Sequence, residues 1–183
     1  MGKLKLKEIA LRWRVRIGLM ATILALIFAN PSFLSLFVSL AVCLLGLILR
    51  TWAAGHLRKD KELTVSGPYS YTRNPLYLGN LVIGIGVITA SRSLWVLLIF
   101  TFYFLFFYPL LIKEEREKMK RLFPQEYDQY GKQVPLLFPS QRTFSFSEKA
   151  KFSWELYWNN KEWRALAGSG LFWLFLFGKF IFF

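Results

Sequence analysis

One cysteine, Cys43, and one histidine, His56, are all that this 183-residue chain holds of the two side chains most used for disulfides and transition-metal ligation. Their scarcity excludes a disulfide framework or a cysteine-built metal site, and leaves histidine-rich iron centres, zinc motifs and histidine-dependent serine hydrolases without support. Repeats of 20 to 50 residues are also missing, and low complexity is confined to the phenylalanine-rich end. Charge is missing from whole stretches: residues 17–29, 33–49, 76–90 and 94–112 carry none, and 165–183 carries only Lys179. With 55% apolar and 19% aromatic residues, these runs exclude a disordered protein and argue for one membrane-embedded unit.

Each run reads as a membrane helix. At about 1.5 Å per residue the longest spans roughly 28 Å, close to the hydrocarbon thickness of a bilayer, while the first and third need help from flanking residues. Asn30-Pro31-Ser32 and Ser91-Arg92-Ser93 are turn-like breaks, so the first four runs form two helical hairpins, followed by a fifth C-terminal hydrophobic helix. The expected fold is therefore an all-α integral membrane protein, a single membrane domain over 1–183. Within it, 17–49 is the first hairpin, 50–138 the core, and 139–183 an interfacial aromatic segment with the last helix.

The net charge of +13 would suggest nucleic acid if it lay on one soluble face. Instead, six basic residues precede Ile17, five lie within 50–73 and eleven within 113–164, which puts 22 of 24 on one side; all 11 acidic residues share it. This is the pattern of cytoplasmic loops, with attraction to anionic lipid headgroups as a second effect, and no nucleic-acid partner is expected. The first run passes directly into a second and shows no small-residue cleavage site, so a removed signal peptide is not expected. Short length without organelle-targeting signals points to a prokaryotic inner membrane, with the N-terminus cytoplasmic.

Three polar segments on that side can carry chemistry. The first, Gly67-Pro68-Tyr69-Ser70-Tyr71-Thr72-Arg73-Asn74-Pro75-Leu76-Tyr77-Leu78-Gly79, enters a helix at Pro75. Backbone donors at that helix start, the charge of Arg73 and the N-cap position of Asn74 suit a carboxylate or phosphate. The plainer alternative has Arg73 reaching for headgroups and the tyrosines forming an interfacial belt. The second segment holds adjacent carboxylates, Glu114 and Glu115, where the fourth run ends; they suit ribose hydroxyls or an amine, or belong to a solvated helix with a Glu114–Lys118 pair. The third, from Phe123 to Pro135, has spaced tyrosines and is either a lid, through Tyr127 and Tyr130, or an interfacial helix and turn. His56 reads as a solvent-facing loop residue, and Cys43 and the Gly84-Ile85-Gly86 stretch as close helix packing.

Taken in order, Arg50-Thr51-Trp52-Ala53, the block from Gly67 to Gly79, the Glu114-Glu115 pair and Glu126-Tyr127…Tyr130…Val134-Pro135 resemble the isoprenylcysteine carboxyl methyltransferase family, in a wider group with the membrane phospholipid N-methyltransferases. The resemblance implies membrane helices with S-adenosylmethionine held on the cytosolic side. It implies cofactor contacts at Leu63, Thr64, Tyr69, Asn74, Pro75, Leu76, Tyr77 and one or both of Glu114 and Glu115. Asn74 stands where the family commonly has histidine, which excludes a histidine-dependent step there. Tyr108-Pro109-Leu110-Leu111-Ile112 stands where prenylcysteine methylating members carry an arginine. A free carboxylate acceptor would there lose a charge-assisted bond worth about 1.5 to 3 kcal/mol, which counts against prenylcysteine and leaves another small lipophilic nucleophile, a lipid amine, thiol, phenol or carboxylic acid, at least as well supported. Two rivals stay open: an NADPH-dependent membrane reductase of the sterol-reductase type, and a non-catalytic membrane assembly or lipid-binding protein.

Overall fold

The computed structural model describes residues 2–139 and 150–182, and side chains from Arg12 onward. The first six residues of the aromatic stretch 144–163, within the interfacial segment expected after residue 138, therefore lie outside the described residues. Among those described there are seven α-helices and no strand: α1 Gly2–Phe28, α2 Phe33–Ala54, α3 Pro75–Ser91, α4 Leu94–Leu122, α5 Pro124–Gln133, α6 Trp154–Asn159 and α7 Trp163–Phe182, with a 3-10 turn at Gly67–Ser70. Three of them, α2, α4 and α7, are long and apolar enough to cross a membrane, and α3 is a shorter apolar helix.

Helix boundaries overshoot the apolar runs at one end. The first helix begins well before Ile17, α2 continues through Arg50 to Ala54, and α4 runs on through Lys113–Leu122. The added turns are rich in Lys, Arg, Glu, Leu and Met, which are strong helix formers. Pro124 then stops α4 and occupies the first turn of α5, where its missing N–H costs nothing. At the other end the turns fall as expected. Ser32 caps α2 reciprocally with Ser35, and Arg92 closes α3 in a left-handed conformation at φ 48°.

The tightest packing runs between the hairpins rather than within them: α2 lies along α3, and α1 lies along α4. Small residues permit the first contact. A Cβ on Gly46 would stand 2.9 Å from the Gly79 carbonyl oxygen, and one on Gly86 3.1 Å from that of Ser39. Cys43 is buried in the same seam, as a small packing residue should be. Where lipid removes the hydrophobic drive for helix association, such backbone proximity supplies the dispersion contact that holds helices together.

The two turns are stitched to each other, because the Asn30 N–H donates to the Ser91 carbonyl at 2.7 Å and the Ser35 hydroxyl to that of Ala90 at 3.3 Å. The last helix seats Phe172 and Leu176 among Ala25, Ala29, Leu36, Ala90 and Val96. Near its end the Lys179 ammonium donates to the Leu26 and Ile27 carbonyls at 3.0 and 2.8 Å, in the unsatisfied last turn of α1. Helix α7 thus runs from the polar end of the bundle, just after Glu162, to the turn end.

Candidate functional site

The loop after α2 turns back on itself through Gly67, whose φ of 58° favours glycine and whose missing Cβ leaves room for the His56 ring. His56 is therefore buried, not solvent-facing. Its Nδ1 lies 2.9 Å from the Trp52 carbonyl, which only accepts, so that nitrogen carries the proton. Phe152, remote in sequence, covers the ring and Gly55, and that contact is invisible in the local pattern.

The start of α3 is held by a strap after α5. Three groups donate to successive strap carbonyls: the Thr72 hydroxyl to Leu137 at 2.7 Å, the Arg73 N–H to Pro135 at 3.0 Å and the Asn74 amide to Leu136 at 2.8 Å. Asn74 sits at the N-cap position but makes no side-chain cap, since its amide anchors the strap. Beside it the Tyr130 hydroxyl donates to the Tyr69 carbonyl at 2.6 Å. Helix α5 is thereby clamped over the loop, with Tyr127 and Tyr130 buried against Leu63, Val65 and Met119.

Between these elements lies a cavity of about 550 Å³, within the range of small-molecule sites. Leu63, Thr64, Tyr69, Asn74 and Pro75 line it, as do Leu76, Tyr77, Tyr127 and Tyr130. Glu115 and Arg73 line it too, whereas Glu114 is exposed and does not. The separation of the two acids follows from helical phase: Leu111, Glu115 and Met119 recur every four residues on one face of α4, and Glu114 is turned about 100° away. Lys118 pairs with Asp60 at 2.5 Å instead of with Glu114.

Charge in the cavity is unevenly compensated. Arg73 packs over the Tyr127 ring, 5.8 Å from its centroid, yet its buried Nε has no hydrogen-bond partner. An unsatisfied buried donor costs about 1 to 3 kcal/mol unless a ligand completes it. Arg50, at the last turns of α2, is fully engaged. Its Nε and Nη2 donate to Glu162 at 2.5 and 2.9 Å, and its Nη1 donates to Asn80 on α3. Burial raises the Tyr69 phenol well above its ordinary range, with Glu115 and Glu162 adding to the effect and Arg50 opposing it. Burial does the same to Tyr130. Both hydroxyls remain protonated donors at neutral pH.

Sequence reasoning missed Glu162 and Asn160. The Asn160 amide donates to the Ala54 and Leu57 carbonyls at 3.0 and 2.9 Å, and Lys161, at φ 57°, turns the chain so that Glu162 enters the cavity wall. Arg50 and Glu162 are 112 positions apart, so no local spacing announces the pair.

Residues 50–126, from Arg50 through the cavity wall to the start of α5, match the family model described as phospholipid methyltransferase. This segment belongs to that family. The methyltransferase-family segment thus supplies Arg50, Tyr69, Arg73 and Glu115, while Tyr127, Tyr130, Asn160 and Glu162 reach the same cavity from beyond it. The chain is 33% identical over 143 residues to the nickel-cobalt-cadmium resistance protein NccN of Alcaligenes xylosoxydans xylosoxydans, covering 72% of this chain and 65% of that protein. It is 33% identical over 138 residues to the cobalt-zinc-cadmium resistance protein CzcN of Cupriavidus metallidurans, covering 69% and 62%. It therefore spans just under two thirds of the length of these relatives. Among the described residues, no cluster of three or more His, Cys, Asp or Glu side chains is placed to hold a metal ion. No solved structure matches the chain.

Proposed function

We propose that the chain is an integral membrane methyltransferase that binds S-adenosylmethionine in the cavity beneath α5, facing the cytoplasm, and methylates a small lipophilic acceptor. The observation that carries this reading is the meeting of the unpaired Arg73 Nε, the Glu115 carboxylate and a wall of buried tyrosines in one cavity of the family segment. The donor set fits the cofactor, because its amino-acid end needs both a cation and an acid, and its nucleoside needs apolar and aromatic surface. Arg73 and the start of α3 would take the carboxylate, Glu115 the ribose hydroxyls or the amine, and Leu63, Leu76 and Met119 the apolar part.

When bound, S-adenosylmethionine supplies an electrophilic methyl group and leaves as a neutral thioether, so no covalent enzyme intermediate is needed. The protein's contribution is position and exclusion of water. Tyr127 and Tyr130 act as the lid, anchored by the Tyr69 carbonyl and the strap, and burial keeps the Tyr130 phenol neutral, so that it adds no competing charge. The acceptor is not expected to be anionic. Nothing cationic lies in Tyr108–Ile112, and Arg50, on the same cavity wall, is neutralised by Glu162. Both relatives come from bacteria, which supports a prokaryotic inner membrane as the setting.

Calorimetric titration of the detergent-purified protein tests this reading, with S-adenosylhomocysteine as ligand and NADPH as comparison. Saturable binding of S-adenosylhomocysteine is expected, weakened about tenfold to a hundredfold by Glu115→Gln through loss of a charge-assisted bond, and unchanged by Glu114→Gln. Binding of NADPH alone would replace the methyltransferase by a reductase. Binding of neither by a folded sample would favour a structural or lipid-binding role.

A further inference from the structure

Glu162 reaches the cofactor cavity from outside the family segment, and a short helix built at both ends specifies its place. Ser153 opens α6 by accepting from the Leu156 N–H at 3.4 Å. At the other end the Lys161 N–H donates to the Trp158 carbonyl at 2.9 Å and the Glu162 N–H to that of Tyr157 at 3.2 Å, which is the Schellman closure of a helix. That closure calls for a left-handed residue, ordinarily glycine, and Lys161 fills it at φ 57°. Asn160 ties the turn to the end of α2 and the loop beyond it, through the Ala54 and Leu57 carbonyls. The side chain so presented is a buried acid set against Arg50.

Desolvation offsets much of the attraction in such a pair, and an apolar pair of similar volume is often at least as stable. What an apolar pair could not do is shape the field in the cavity. Arg50 directs Nε and Nη2 to Glu162, and Nη1 to Asn80 and the Leu76 carbonyl, so its donors point into the wall. The other ion pairs of the cavity, Arg58 with Glu62 and Asp60 with Lys118, lie at the exposed rim, where water screens them. Tyr69 senses the inner wall. After burial, the charges that act on its proton are Glu115 and Glu162, which hold it, and Arg50, which opposes them. Two acids thus stand against one cation about this phenol. Arg73 lies apart over Tyr127, and Arg14 lies on α1, where its carbonyl accepts from Tyr103. Without Glu162 the balance about Tyr69 would be one acid against one cation, with a half-buried guanidinium released.

We infer that Glu162 is a specificity-determining residue of the cavity: by holding Arg50 against the wall it leaves Glu115 unopposed, so that the middle of the cavity favours a ligand with a cationic centre. S-adenosylmethionine has such a centre in its sulfonium, and S-adenosylhomocysteine, the product, does not. The pair therefore favours the methyl donor over its product within one cavity. The inference rests on the methyltransferase reading for the identity of the ligand. The charge arrangement rests on the wall itself.

The test is calorimetric titration of the full chain in detergent with S-adenosylhomocysteine and with sinefungin, which carries an ammonium group at the place of the cofactor's sulfonium. The wild-type protein should bind sinefungin the more tightly. Glu162→Gln should lower that preference roughly tenfold, the worth of one unit charge about 10 Å away across an effective dielectric of about 20. Glu162→Asp keeps the charge and should keep the preference. Arg50→Gln combined with Glu162→Gln leaves no lone guanidinium and should restore it. A brace that only held the fold would instead weaken both ligands equally. Equal weakening in Glu162→Gln, a wild-type protein indifferent to the ligand's charge, or a double variant whose preference stays lowered would overturn the inference and leave the methyltransferase reading standing. If Glu162→Gln binds neither ligand, the double variant decides alone. Binding of neither ligand by the folded wild-type protein would remove the methyltransferase reading and this inference together.

Discussion

Single side chains in this cavity are set by what surrounds them more than by what they are. Tyr69 and Tyr130 are ordinary phenols in sequence, yet burial holds both protonated far into the alkaline range, with carboxylates deepening the effect at Tyr69. The sign of the linkage follows. Above about pH 10 the unfolded chain loses these protons while the folded chain keeps them, so stability is full below that pH and falls as pH rises beyond it. Ultraviolet absorbance should therefore show less phenolate in the folded protein at pH 11 than in the denatured one. Tyr69→Phe and Tyr130→Phe should leave the folded signal unchanged and lower the denatured one. S-adenosylhomocysteine binding should show no tyrosine limb below pH 10. Residue identity was enough to nominate these tyrosines, because they lie in compact blocks at 63–77 and 127–130. It was not enough to choose between Glu114 and Glu115, which required the phase of α4, although the recurrence of Leu111, Glu115 and Met119 carries that phase in the sequence.

At the scale of elements, the apolar runs and their turns were legible because hydropathy and turn chemistry act locally. The pairing of helices was not. Short turns suggest that each hairpin packs on itself, yet α2 finds α3, since the small residues Ser39, Cys43 and Gly46 meet Gly79, Ile83 and Gly86 at backbone distance. Gly46→Leu should then force the two helices apart and cost about 1 to 3 kcal/mol as an overpacked contact. Gly178→Leu on α7 is the control: an added Cβ there meets nothing within 4 Å, so the substitution should not lower stability. Unfolding in mixed micelles measures both. Equal effects would mean that the α2–α3 seam does not hold the bundle together. The same seam sets the site, because Arg50 lies one turn beyond Gly46 and its alkyl stem packs over Gly79, so a shifted α2 would also pull Arg50 away from Asn80.

Across the whole molecule, the cavity is completed by parts that sequence spacing cannot connect. The methyltransferase-family segment ends at 126, yet Asn160 and Glu162 brace its first residues from the far side of α6. All of these groups gather at the basic end of the bundle, opposite the stitched turns at Asn30 and Ser91. If the basic end is cytoplasmic, the orientation expected from the loop charges, a soluble cofactor reaches the cavity from the cytoplasm and the turns face outward. Two single-cysteine variants made on Cys43→Ser test this in intact cells with a membrane-impermeant maleimide. Asn30→Cys, at the exposed turn, should label at once, and Lys61→Cys, in the exposed loop beside the cavity, only after permeabilisation. The opposite pattern would put the cavity on the outer face, where no pool of S-adenosylmethionine is expected. The methyltransferase proposal would then fall even with every side chain in place, because the chemistry depends on which compartment the cavity opens to as much as on its lining.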